Sequence, residues 1–207
     1  MASVRPALKI LILSLIMESI LSGCGIFRDE VVVIETDLGK IVVELFPGDA
    51  PNHVERFREL AAAGFYDGLV FHRVVPGFVI QAGDPATRDP STPRSRYGAG
   101  GSGVRLEAEF NERHHLRGTV SMARSADVDS GDSLFYDTAD SQFFICLEAK
   151  PHLDGLYTIF GQVIAGMETA DLIARLPRDE MNVPVHPVTI RTMTILSRRQ
   201  ALKSLKQ

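Results

Sequence analysis

Short apolar runs separated by turn residues make up most of this chain. "VVVIETD" (31–37) and "KIVVELF" (40–46) flank Leu38-Gly39, which predicts a β-hairpin. In "DAPNHVERFRELAAAG" (49–64), Val54, Phe57, Leu60 and Ala61 recur at helical spacing. This predicts a helix with one apolar face, Asp49 as its N-cap, Pro51 in its first turn and Gly64 at its stop. Strand-like runs follow at 69–75 and 78–82, with Pro76-Gly77 as the turn between them. An irregular stretch runs from Asp84 to Gly103. Further strands are predicted at 118–122, 142–147 and 157–163, a second helix over "GMETADLIARL" (166–176), and a last strand in "HPVTIRTMTIL" (186–196). There is no internal repeat. Many short strands, two helices and no regular βαβ alternation predict a mainly β, antiparallel barrel or sandwich with helices at its ends.

The first 24 residues break this pattern. Arg5 and Lys9 precede the apolar run "ILILSLIM" (10–17), and Ser22, Gly23 and Cys24 follow. This is the layout of an export signal, too short for a transmembrane span. Its end, "LSGC", resembles a bacterial lipobox, which implies removal of residues 1–23 and lipidation of Cys24. Glu18 departs from the usual apolar core. An uncleaved anchor and a plain secreted protein are the alternatives, and the cysteine after small residues favours the lipoprotein. Residues 24–30 then form a lipidated cysteine and tether, 31–197 the folded domain, and 198–207 ("RRQALKSLKQ") a basic tail. The tail could lie on an anionic membrane surface, but a solvated helix end is the favoured reading.

The 207 residues are 45% hydrophobic and 23% charged, enough for one domain with a sizeable core. The formal charge of −4 becomes −5 once Arg5, Lys9 and Glu18 leave with the signal. No nucleic-acid partner is expected from an acidic chain. Two cysteines exclude a disulfide framework and four-cysteine zinc sites, and Cys146 in "QFFICL" reads as an inert buried thiol. "GAGGSG" (98–103) matches G-x-G-x-x-G but lacks the flanking strand and helix, so it reads as a surface loop. "DVDSGDS" (127–133) fails the calcium-loop pattern, with Thr138 at the twelfth position. No HExxH and no G-x-S-x-G are present. Neither a metal nor a cofactor is expected.

One constellation remains. In "FHRVVPGFVIQAGD" (71–84), Arg73 and Gln81 sit inside an apolar stretch, where unpartnered burial is costly. Strand alternation places Val79 with Gln81, and Phe78 with Ile80 unless the chain bends after Gly77. In "SQFFIC" (141–146), Gln142 shares a face with Phe144. Two such strands side by side would build an apolar patch bordered by amides, with Arg73 at its edge.

Together with "GTVSMA", "LDG" and "FGQV", and in the same order, these segments make residues 31–196 resemble the cyclophilin family of peptidyl-prolyl cis-trans isomerases. "AEFNERHHLRGTVSMAR" is most similar to the bacterial branch. The resemblance implies a closed eight-stranded antiparallel β-barrel capped by two α-helices, with the active site on its outer surface. It implies that Arg73 is the catalytic arginine, acting with Gln81 and Phe78. Phe78, Val79, Phe144 and Leu153 would form the proline pocket, and Gln142 would hold the peptide. Ala123 and Arg124 match the edge that meets residues before the proline. Tyr157 stands where many members have histidine, and His152 where several have tryptophan. Weak cyclosporin binding is therefore expected. Arg124, in place of a common asparagine, would favour acidic residues before the proline. The connection 125–140 is longer than in compact members and reads as a tolerated insertion, with a substrate-selecting lip as the sharper alternative.

The partners so implied are proline-containing peptides and unfolded exported proteins, met by a membrane-anchored monomer. A proline-peptide binding module with little turnover and a surface scaffold are the competing classes. The arginine favours the enzyme, because binding alone would not require it.

Overall fold

The computed structural model describes residues 29–125 and 136–205. The expected signal peptide, Cys24 and most of the 125–140 connection lie outside the described residues. β1 (Glu30–Thr36) and β2 (Gly39–Leu45) form the predicted hairpin around Asp37-Leu38, with Thr36 opposite Gly39. α1 (Pro51–Ala62) follows, then β3 (Arg73–Val75), β4 (Val79–Ala82), β5 (Thr119–Met122), β6 (Phe143–Cys146) and β7 (Ile159–Ala165). α2 (Met167–Ala174), β8 (Ile190–Ser197) and α3 (Arg198–Ser204) complete the order.

The eight strands form one sheet in the order β3-β4-β6-β5-β7-β2-β1-β8. The sheet curls into a half-barrel, so the expected closed barrel is corrected. The reason lies in the predicted strand 69–75, which changes partners midway. Ile190 donates its N–H to the Leu69 carbonyl and Phe71 donates to Val188, at 2.7 and 3.0 Å. From His72 onward the same run bonds to β4 instead. Each edge therefore receives only a few residues, and Val70–Thr189 is an isolated bridge rather than a ladder. Bulges at Val42/Val43 and Val120/Ser121 bend the strands in between.

The concave face holds the main core. Phe57 of α1 meets Tyr66, Phe143 and Phe160, with ring centroids 4.9 to 5.3 Å apart, and all four rings are fully buried. The start of α1 differs from expectation. Ala50 occupies the N-cap and has no capping side chain, while Asp49 pairs with Arg113 at 2.8 Å. The cap comes instead from Glu109, remote in sequence. Its carboxylate accepts the N–H groups of Asn52 (3.0 Å) and His53 (2.9 Å), the Asn52 amide (2.8 Å) and His53 Nδ1 (2.6 Å). A carboxylate at this end also suits the helix dipole.

Two helices were expected and three are found among the described residues. The third lies in the tail read as solvated. A capping box between Ser197 and Gln200 starts it, and fully buried Ala201 packs it onto the convex face of the sheet.

Glu109→Ala removes four hydrogen bonds to one carboxylate. It should lower the urea-unfolding free energy by ~2–3 kcal/mol while leaving the sheet's circular dichroism intact. A loss under ~0.5 kcal/mol would show that the cap is dispensable.

Candidate active site

The pairing of four strands builds the site. Arg73 faces Gln81 across β3–β4, Gln81 faces Phe144 across β4–β6, and Phe144 faces Ser121 across β6–β5. Directly paired residues share a face, so these four form one row on the convex side. Their strand neighbours Val74, Ile80, Ile145 and Val120 point into the core. Gly77 closes the turn at φ +68°, a conformation that suits glycine. Phe78 consequently precedes β4 rather than alternating within it, and it joins Val79 on the convex side.

There Val79, Phe144, Cys146 and Leu153 form a small separate cluster, flanked by Phe78, Ala123 and Tyr157. Above it opens a hollow of about 290 Å³. Its lining is Arg73, Phe78, Val79, Gln81, Ala123, Arg124, Phe144, Leu153 and Tyr157. Nine of the eleven expected site residues thus meet in one place. Gln142 lines an adjoining hollow, and His152 lies outside the lining, stacked on Phe78 with centroids 6.0 Å apart.

The polar groups are joined in sequence. Arg73 Nη1 donates to Gln81 Oε1 (3.3 Å), and Gln81 Nε2 donates to Gln142 Oε1 (2.9 Å). Gln142 Nε2 donates to the carbonyls of Gly98 (2.9 Å) and Gly100 (2.7 Å). Partial burial lowers the Arg73 pKa, but a guanidinium starts so high that it stays charged. Its charge centre lies 5.7 Å from the Phe78 ring centroid.

The family model for cyclophilin type peptidyl-prolyl cis-trans isomerases matches residues 31–195. The chain belongs to the cyclophilin family. It is a peptidyl-prolyl cis-trans isomerase. A peptidyl-prolyl cis-trans isomerase of Synechococcus elongatus is 45% identical over 130 residues, 63% of this chain and 77% of its own length. The peptidyl-prolyl cis-trans isomerase-like 3 of Rattus norvegicus is 40% identical over 167 residues, 79% of this chain and 94% of its own. The crystal structure of a Cryptosporidium parvum cyclophilin superposes with a TM-score of 0.69 at 32% identity, covering 82% of this chain and 98% of that one. The same Cryptosporidium protein has also been solved in the presence of the dipeptide Ala-Pro.

In this cyclophilin the pocket wall has a support that the sequence reading missed. His115 stacks behind Phe144, with centroids 6.0 Å apart, and is itself buried. Its Nδ1 lies 2.8 Å from Asp154 Oδ1, and its Nε2 lies 2.9 Å from Ser121 Oγ. With Nδ1 protonated toward the carboxylate, Nε2 accepts from the hydroxyl. Burial alone would raise the Asp154 pKa, but hydrogen bonds from the His115 backbone and from the His115 and His114 rings outweigh it and hold Asp154 at about 2. The order Ser-His-Asp looks like a nucleophilic relay. Ser121 is fully buried, however, and its hydroxyl is committed to His115, so this is a strut and not a nucleophile.

The glycine-rich stretch read as a surface loop is also part of the site. It lines a second hollow beside the first, with Gln142, Arg124, Arg105 and Asp140. Asp84 accepts the Gly98 N–H at 2.6 Å, and Asp140 accepts those of Ser102 (2.7 Å) and Gly103 (2.9 Å). A Cβ on Gly100 would stand 2.2 Å from Asp84 Oδ1, so the loop's close approach needs glycine there.

His72, 3% exposed, sits beside Arg73 in the chain. Burial pushes its pKa down to about 4, with Asp84 opposing the shift. Burial also lowers His53 and His115. The unfolded chain therefore takes up protons first as pH falls through ~6.5, and stability falls with pH until the native state protonates as well. Urea unfolding should show a steady decline from pH 7 to pH 4, and His72→Asn should make that decline shallower. A stability that stays level or rises over this range would contradict the assignment.

Proposed function

We propose that the hollow holds the prolyl ring and that Arg73 drives rotation of the bond before it. Rotation about an X-Pro amide faces a barrier of roughly 18–20 kcal/mol, set by its partial double-bond character. No nucleophile or redox centre is required. The catalyst must favour the twisted amide over both planar forms. In the twisted state the prolyl nitrogen regains a lone pair. A donor placed there opposes amide resonance. The row of Arg73, Gln81 and Phe144 on one face carries this reading, because it sets a charged donor against an apolar seat. Gln81 takes one donor of the guanidinium and orients the rest. Phe78, Val79, Phe144 and Leu153 grip the ring and exclude water, which strengthens the arginine's effect. Ala123, Arg124, Tyr157 and Gln142 hold the flanking peptide. The Ala-Pro dipeptide present with the Cryptosporidium relative supports a proline-peptide ligand here too.

Arg124 sets a preference among peptides. Its guanidinium lies 4.5 Å from the Tyr157 centroid and 5.1 Å from that of Tyr136, and the residue lines both hollows. A cation held on two rings at this boundary favours an acidic residue before the proline. His152 offers an imidazole where an indole would add to cyclosporin binding, so an inhibitor titration should find weak affinity.

The cellular role is the folding of exported proteins by a monomer anchored through Cys24. The n-region, apolar run and "LSGC" sequence support this role.

Prolyl isomerisation of a short X-Pro peptide tests the core of this reading. Arg73→Ala should lower kcat/KM by about 10²–10³-fold with the fold retained, as for removal of one stabilising donor elsewhere. Full activity in that variant would remove Arg73 from the mechanism. In a peptide series, Glu over Ala before proline should be favoured about two- to fivefold, and Arg124→Ala should erase the difference. No preference in the parent protein would dismiss the Arg124 role.

A further inference from the structure

The family match ends at residue 195, and α3 lies beyond it. The helix is not needed for the pocket, which lies on strands β3 to β6, yet it is firmly seated. Ala201 is fully buried against Val31 and Val33 of β1 and Val42 of β2. Lys40 Nζ donates to the Ser204 carbonyl at 3.2 Å, and Arg198 pairs with Glu44. Seating α3 this way turns Arg199, Leu202 and Lys203 outward, and all three are exposed. Arg199 and Lys203 pair with no described carboxylate; Leu202 stands beside them, and Leu205, four residues after the buried Ala201, lies at the edge of the seated side. Lys203 in the last turn suits the helix dipole, and Arg199, Lys203 and Leu202 together make a face of the kind an interfacial surface uses.

We propose that this face of α3 docks on an anionic lipid surface, so that the isomerase lies on the membrane in one orientation. The inference rests on the Cys24 anchoring proposed above. Cys24 precedes Val31 by seven residues, a stretch that spans at most ~25 Å when fully extended. Val31 belongs to the same apolar cluster as Ala201. An anchored chain therefore keeps α3 within reach of the bilayer. Basic residues near an anionic leaflet each add about fivefold to partitioning, and Leu202 adds burial at the headgroup boundary. The proline pocket lies on the other half of the curled sheet, so docking leaves it open to clients.

The full chain, extracted from cell membranes and reconstituted in phosphatidylcholine vesicles with or without phosphatidylglycerol, tests this. Flotation reports anchoring, and amide hydrogen exchange over residues 198–205 reports docking. The chain should float with both vesicles, and α3 should exchange at least about fivefold more slowly with phosphatidylglycerol present. The exchange of residues 73–82 should not change. The double variant R199E/K203E should float and isomerise normally but lose the added protection. A floating chain whose α3 exchanges equally on both vesicles, or whose double variant keeps the protection, overturns docking and leaves the anchor standing. A chain that stays soluble on cell fractionation overturns both.

Discussion

The structure depends on one register. Arg73 opposite Gln81, Gln81 opposite Phe144 and Phe144 opposite Ser121 place four chemically different side chains in a row. A slip of one residue in any of these ladders would send Val74, Ile80 or Ile145 outward and a guanidinium or an amide into the core. Unpartnered burial of such groups costs several kcal/mol, so the hydrophobic pattern that stabilises the half-barrel also fixes the site. Phe143 and Phe144 show the economy of this. The first packs on Phe57 inside the curl, and the second forms the wall of the apolar hollow outside it.

Direction is imposed on the polar row from one end. The carbonyls of Gly98 and Gly100 can only accept, so the Gln142 amide must present its NH₂ to them and its oxygen to Gln81. Gln81 must then give its NH₂ to Gln142 and its oxygen to Arg73. Neither glutamine can flip without losing partners. A loop anchored by Asp84 and Asp140 thus reaches, through two amides, to the charged group at the pocket's edge. The apolar side of the pocket is braced in a comparable way, since Ser121, His115 and Asp154 back the ring of Phe144.

What could be read from the sequence was whatever depends on near neighbours in the chain. Strand alternation put Gln142 with Phe144 and Val79 with Gln81, and a glycine after Pro76 marked the turn that moves Phe78 to their side. The misses involve partners far apart. Asp49 is well placed for a cap, yet the cap is Glu109, which reaches α1 from another loop and satisfies four donors at once. A continuous strand over 69–75 would have closed the barrel, but the run serves β8 first and β4 afterwards. "GAGGSG" lacked the flanking strand and helix of a phosphate loop, which was the right reason to reject nucleotide binding. That test could not show that two distant carboxylates order the loop beside the pocket. The basic tail carried a visible signal in Ser197 and Gln200, three residues apart as a capping box requires.

Stability and chemistry are kept on opposite faces of the same sheet, and this separation explains why the site tolerates charge. Concave positions supply the aromatic core. Convex positions are free to vary in polarity as long as their hydrogen bonds close, and in the active-site row they do. The half-barrel has a second convex surface, over β1 and β2, where the same rule operates with a different result. There Ala201 fills an apolar patch, Arg198 and Lys40 satisfy Glu44 and the helix end, and the remaining cations are left pointing away from the protein. Two unrelated surfaces are thus built by alternation on one curled sheet, one an apolar hollow with a charged rim and the other a seat for a helix.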